Sequence, residues 1–143
     1  KIIKIIKFFS KIKKIIISIH PRTNKKFKFL KFKNNKNIIF TQPLKYSESI
    51  FLLSKCYFSF SDSGGIQEEA VILKKKCLVP LDFTPHSYYI HKKANNLVDL
   101  NSRNYFKKIN LFLKFHKKNP KIKKFNHPNN IDKKIINIIN KKI

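Results

Sequence analysis

Along the first fourteen residues the apolar side chains fall at Ile2, Ile3, Ile5, Ile6, Phe9 and Ile12, with lysines between them. Returns every three or four positions predict an amphipathic helix over Lys1–Lys14. The pattern then changes. Ile15 to Ile19 is continuous and β-branched and stops at His20-Pro21, which predicts a strand buried on both faces and then a loop. A short helix is expected over Asn24–Phe32 and a second strand over Asn37–Phe40, closed by Thr41-Gln42-Pro43. Ser47–Lys55 reads as a helix with Ser47 as its N-cap. Strands follow at Tyr57–Phe60, Cys77–Val79 and Asn96–Val98, with a helix over Gly65–Leu73 between the first two. Arg103–Lys117 is again amphipathic. Beyond the Asn119-Pro120 break and the His127-Pro128 turn, Asn130–Lys142 reads as a last helix. Strands that alternate with helices imply right-handed crossovers and a parallel sheet covered on both faces. The expected class is α/β, a doubly wound parallel sheet over residues 1–118, with a linker and C-terminal helix over 119–143.

Composition narrows the picture. A chain of 143 residues, 42% of them hydrophobic, has room for one core. Lysines interrupt each apolar stretch, so no transmembrane helix or signal peptide is expected and the protein is read as cytoplasmic. The first residue is Lys1, which suggests a fragment or a trimmed product. The net charge of +26 would attract polyanions. Against a nucleic-acid role, Arg22 and Arg103 are the only arginines and the lysines are spread along the whole chain. Lysine lacks the planar fork that reads phosphates and base edges, so no specific nucleic-acid partner is expected. A cationic helix lying on an anionic membrane is an alternative for Lys1–Lys14. A strand that follows directly and needs cover favours a packing role instead. Cys56 and Cys77 sit at or near apolar runs and read as buried free thiols. His20, His86, His91, His116 and His127 lack paired-ligand spacing, so no metal is expected.

The stretch FSFSDSGGIQEEA, Phe58–Ala70, stands apart. It holds both glycines, Gly64 and Gly65, and three of the seven carboxylates, Asp62, Glu68 and Glu69. It lies between an expected strand and an expected helix, where open α/β sheets bind their ligands. A helix start offers free amides and partial positive charge, and glycines let a phosphate approach the backbone. Ser63 adds a hydroxyl donor. Glu69, more than a turn into the helix, is placed to reach a sugar hydroxyl. The same residues also make an ordinary capped helix start, with Gln67 or Glu68 completing the cap. No Gly-Lys-Ser/Thr follows, so the loop is not of the Walker type.

SDSGGIQEEA resembles the signature of the non-hydrolysing UDP-N-acetylglucosamine 2-epimerases in their C-terminal domain. IISIHPRT, Ile16–Thr23, resembles the family's strand and His-Pro loop. NIIFTQPLKYSESIFLLSKCYF, Asn37–Phe58, resembles the segment leading into the signature, with Pro43 and Tyr46 in matching places. CLVPLDFT and NNLVD follow at the expected distance. The resemblance covers about Ile15 to Asp99. It implies a Rossmann-like domain forming the C-terminal half of a two-domain GT-B fold. It further implies that Ser63, Gly64 and Gly65 hold the diphosphate of a UDP-sugar and that Glu69 holds the ribose. Gln42 to Tyr46 would lie along the uracil. His20 matches a cleft histidine associated in some members with an activating nucleotide sugar, or it is a strand-end residue bonding its neighbours. The family interconverts UDP-GlcNAc and UDP-ManNAc without cofactor or metal, by removing the C2 proton and eliminating and re-adding UDP. A homodimer of the complete enzyme is left open. A GT-B glycosyltransferase shares the Gly-Gly helix and the ribose glutamate but not the whole DSGGIQEEA string, and remains an alternative.

The departures are specific. The family follows its fourth strand with an Arg and a Thr-Glu-Arg-Pro run, where this chain has PLDFTPHSYY. Thr84 is kept, while Leu81, Pro85, His86 and Ser87 stand where Arg, Glu, Arg and Pro would be. Family catalytic carboxylates lie mostly in an N-terminal domain that this chain does not contain. With no paired acid and base among its few carboxylates, the catalytic residues are unassigned. The chain alone is expected not to turn over without that domain, in cis or in trans.

Overall fold

The structure is a computed structural model that describes residues 1–19, 32, 35–91, 93–118 and 122. His20, the helix expected from Asn24 (Phe32 apart) and the final helix expected over Asn130–Lys142 lie outside the described residues. The chain divides into two compact units, Lys1–Lys55 and Cys56–Ile143.

In the first unit, helix α1 spans Ile2–Ser10. It stops short of Lys14 because its end is tied off locally. Lys11 N and Ile12 N donate to Phe8 O and Phe9 O, tightening the last turn. Asn37 Nδ2 donates to Ser10 O, and Asn35 Nδ2 donates to Ser10 Oγ. Strands β1 (Ile15–Ser18) and β2 (Ile38–Thr41) pair in parallel, with Ile15 opposite Ile38 and Ser18 opposite Thr41. Ile6 of α1 packs with Phe32 and Ile38, flanked by Ile3, Ile15, Ile17 and Phe40. The apolar face of α1 is therefore committed to the core of its own unit, where Ile5 is fully buried. Burial of β1 on both faces does not hold. Ile15 and Ile17 turn toward the Ile6 cluster, while Ile16 and its register partner Ile39 stay 47% and 44% exposed. The pleat sends alternate side chains to opposite faces, and α1 covers one of them.

Helix α2 runs from Tyr46 to Lys55. The expected Ser47 cap is corrected: the helix has already begun at Tyr46. Glu48 does the capping from its third position, accepting from Lys45 N at 2.8 Å, one half of a capping box.

The second unit holds β3 (Ser59–Phe60), β4 (Cys77–Val79) and β5 (Asn95–Leu97), all parallel, with β4 in the middle. β3 opens later than Tyr57 because its ladder partners begin at Cys77. Tyr57 instead lays its ring against His116, centroids 4.3 Å apart. Cys77, Leu78 and Val79 are fully buried, as befits a central parallel strand. Helix α3 (Gly64–Ile72) carries the chain from β3 to β4. Helix α4 (Ser87–His91), not expected from the sequence, lies between β4 and β5. Helix α5 (Tyr105–Lys118) follows and buries Ile109, Phe112 and His116.

Helices α3 and α4 end in the same way. Lys75 N donates to Ala70 O and Lys74 N to Val71 O, with Lys74 at φ 57°. Ala94 N donates to Tyr89 O and Lys93 N to Ile90 O, with Lys93 also at φ 57°. Both are Schellman ends with a left-handed residue, the place glycine usually fills. The class is the expected one, helices alternating with parallel strands.

Candidate functional site

The chain leaves β3 at Phe60 and enters α3 at Gly64. Ser63 is the N-cap residue, in an extended conformation at φ −68° and ψ 125°. The first donor inside the helix is Gln67 N, bonded to Ser63 O at 3.1 Å. The amides of Gly64, Gly65 and Ile66 precede it and face out of the helix start, where they carry its partial positive charge. The Ser63 side chain makes no capping bond, so its hydroxyl is available beside those amides. Neither glycine has positive φ. What sets them apart is their missing side chains, not an unusual backbone. A methyl group on Gly65 would meet nothing nearer than Ser63 Oγ at 3.9 Å. Gly65 is an exposed residue. A methyl on Gly64 would lie 2.7 Å from His86 Nε2.

Beneath this rim is a buried polar scaffold. Gln67 is 1% exposed and Thr84 is 2% exposed. Thr84 Oγ1 donates to Gln67 Oε1 at 3.0 Å, and Gln67 Nε2 donates to Asp62 O at 3.4 Å. His86 N donates to Thr84 Oγ1 at 3.3 Å, and Asn95 Nδ2 donates to Gln67 O at 3.4 Å. Gln67 thus pins the loop before α3 to the loop after β4. In the sequence it offers itself as a cap. In the structure its side chain reaches the carbonyl of Asp62 and the hydroxyl of Thr84. The survival of Thr84 within PLDFTPHSYY was the one signal for this link.

The predicted residues fall as follows. Ser63, Gly64 and Gly65 sit together at the α3 start, and Glu69 is half-buried in the following turn. Gln42 and Tyr46 belong to the first unit, where Gln42 follows β2 and Tyr46 opens α2. Both are exposed, Tyr46 by 72%. His20 lies outside the described residues. His86, expected only as a lost arginine, stands over the α3 start with Nδ1 3.1 Å from Glu68 Oε1. Among the described residues no group of three or more His, Cys, Asp or Glu side chains converges as a metal site would require.

The family model described as UDP-N-acetylglucosamine 2-epimerase matches residues 1–140. The chain belongs to that family. Its curated relatives include the UDP-N-acetylglucosamine 2-epimerase of Methanocaldococcus jannaschii, 40% identical over 114 residues, 76% of this chain and 31% of that protein. The Campylobacter jejuni enzyme of the same name is 47% identical over 68 residues, 48% of this chain and 18% of that one. Among solved structures, the M. jannaschii epimerase in complex with UDP-GlcNAc and UDP superposes with a TM-score of 0.74 at 33% identity, covering 98% of this chain and 38% of that one. The Neisseria meningitidis epimerase bound to UDP-GlcNAc gives 0.64 at 28% identity, covering 88% and 36%. The chain spans about a third of the length of the M. jannaschii epimerase. The α/β fold seen here is thus the fold of the matching part of these epimerases.

Proposed function

We propose that this chain is the UDP-holding part of a UDP-N-acetylglucosamine 2-epimerase. The observation that supports this most is the α3 start. Three outward amides, two residues without side chains and an uncommitted Ser63 hydroxyl form an anion seat. The chain also belongs to a family with one member solved in complex with UDP-GlcNAc and UDP and another bound to UDP-GlcNAc. In this reading Ser63, Gly64 and Gly65 take the diphosphate, Glu69 the ribose hydroxyls, and Gln42 and Tyr46 the uracil. His20 is assigned to the cleft. Residues 1–118 form the nucleotide-sugar domain. Catalytic carboxylates come from a further domain, in cis or in trans, and the isolated chain binds without turning over.

Among the described residues no helix is long and apolar enough to cross a membrane. With the apolar face of α1 packed inside its own unit, a membrane-surface role for Lys1–Lys14 has little left to offer lipid.

Titration calorimetry tests the reading. The chain is expected to bind UDP, with Ser63→Ala and Glu69→Ala each weakening it about tenfold or more, the scale of a lost charge-assisted hydrogen bond. Absence of binding at millimolar UDP, or epimerisation by the isolated chain at an appreciable rate, would overturn it.

A further inference from the structure

Strand β5 ends one side of its three-stranded sheet, with β4 on its inner flank. The pairing fixes which way its main chain points. Leu78 stands opposite Asn96, and Val98 N donates to Val79 O at 2.8 Å, so Asn96 and Val98 turn their peptide groups toward β4. Peptide groups alternate along a strand, which leaves those of Asn95 and Leu97 facing outward. Among the described residues no strand pairs with that outer side. Beside it lies a groove of about 340 Å³ between β5 and α5. Leu97 and Val98 form its strand wall, and Leu111, Phe112 and Phe115 its helix wall. Leu111 is 57% exposed and Phe115 38%, an apolar pair one turn apart on the outer side of α5. Lys93 and Lys108, both exposed, complete the lining, in which there is no carboxylate. A third ammonium, Lys76 Nζ, lies over the Phe115 ring, 4.3 Å from its centroid.

We propose that this groove receives an extended acidic segment of a partner protein, added to β5 as a further strand. The outward peptide groups of Asn95 and Leu97 supply the main-chain hydrogen bonds of strand addition. Alternate side chains of the guest point to one face, so its apolar residues lie over Leu111 and Phe115 while the others stay in water. An edge strand walled by a helix offers both parts of this recognition, hydrogen bonds for affinity and an apolar trough for selectivity. Charge selects the occupant. Lys93 and Lys108 in the lining, with Lys76 against Phe115, attract a segment that carries carboxylates. They repel a second copy of this chain, whose net charge is +26 and whose own β5 has the same lysines beside it. The groove shares no residue with the α3 start and stands independently of nucleotide binding.

The probe is a fluorescein-labelled hexapeptide of alternating valine and glutamate, titrated with the full chain and followed by fluorescence anisotropy. It is expected to bind, and serine in place of its valines should weaken it about tenfold or more at equal charge. N-methylation of one alternate set of its residues should abolish binding, while N-methylation of the other set leaves it unchanged, because only one set turns its N–H groups to β5. Hydrogen exchange at the Leu97 amide should slow in the complex. Leu111→Glu and Lys108→Glu, both at exposed positions, should each weaken the peptide about tenfold or more. Circular dichroism checks that each variant is folded, and two variants guard against the failure of one. Equal binding of the valine and serine peptides, or the same effect from both N-methylated sets, means a polyanion held by surface lysines and overturns strand addition. Absence of binding at millimolar peptide overturns it too. So does a wild-type homodimer that Leu111→Glu dissociates, which gives the edge to a second copy.

Discussion

Two neighbouring glycines do different work here, and the structure separates them. Gly65 faces open space, so Gly65→Ala should keep the fold. Alanine could even stabilise the helix by up to about 1 kcal/mol, while its methyl obstructs a ligand on the amides. Gly64 carries the His86 ring on its Cα, so Gly64→Ala must push the ring away from Glu68 and Tyr89. The expected result is a lower melting temperature for Gly64→Ala alone and weaker UDP binding for both, read by thermal denaturation and calorimetry. The sequence made the Gly-Gly pair conspicuous but could not tell its members apart. That distinction depends on His86, far along the chain and brought over α3 by the turn after β4. The cysteines divide similarly. Cys77 is fully buried in β4, and burial pushes its thiol up to about 11. Cys56 is half-buried, raised by burial but partly opposed by Lys75. A thiol reagent at neutral pH should modify Cys56 slowly and leave Cys77 unmodified until denaturant is added, as mass spectrometry would show.

At the level of elements, strand and helix order was legible because the apolar period switches cleanly between runs of isoleucine and lysine-spaced faces. What escaped was short or compensated. α4 is five residues long and follows Pro85, too brief for a period to show. The start of α2 was misplaced because Glu48, not a hydroxyl residue, supplies its cap. α5 holds a further surprise. His116 is 1% exposed, stacked on Phe112 at 5.7 Å and met edge-on by Tyr57. Neither ring nitrogen has a hydrogen-bond partner among the described residues. Burial first, and then Lys76 and Lys75, hold its pKa below the usual histidine range, although the Tyr57 backbone pulls the other way. The folded state therefore prefers the neutral ring. As pH falls through the ordinary histidine value the unfolded chain takes up a proton that the folded chain resists. Stability contributed at this site is present above that value and is lost as pH falls from it toward the lowered folded value. Between about pH 7.5 and about pH 5 the melting temperature of wild type should drop more than that of His116→Phe, which keeps the aromatic stack without the titration. Equal drops would assign the acid sensitivity elsewhere.

For the molecule as a whole, alternating strands and helices announced an α/β class, and one dense loop announced the family. The charge of +26 announced much less, because lysines spread along a chain mark no single face. The scarcity of glycine has the longer reach. A sequence with two glycines has placed both at the start of α3, and the Schellman ends of α3 and α4 are left to Lys74 and Lys93. A left-handed conformation costs a side-chain-bearing residue about 1–2 kcal/mol, part of which glycine would return in unfolded-state entropy. Lys74→Gly and Lys93→Gly should each raise the melting temperature, by about 0.5–1 kcal/mol of stability, with UDP affinity unchanged in calorimetry. The helix ends of this protein thus hold a reserve of thermal tolerance that two exposed positions could release, leaving the anion seat as it is.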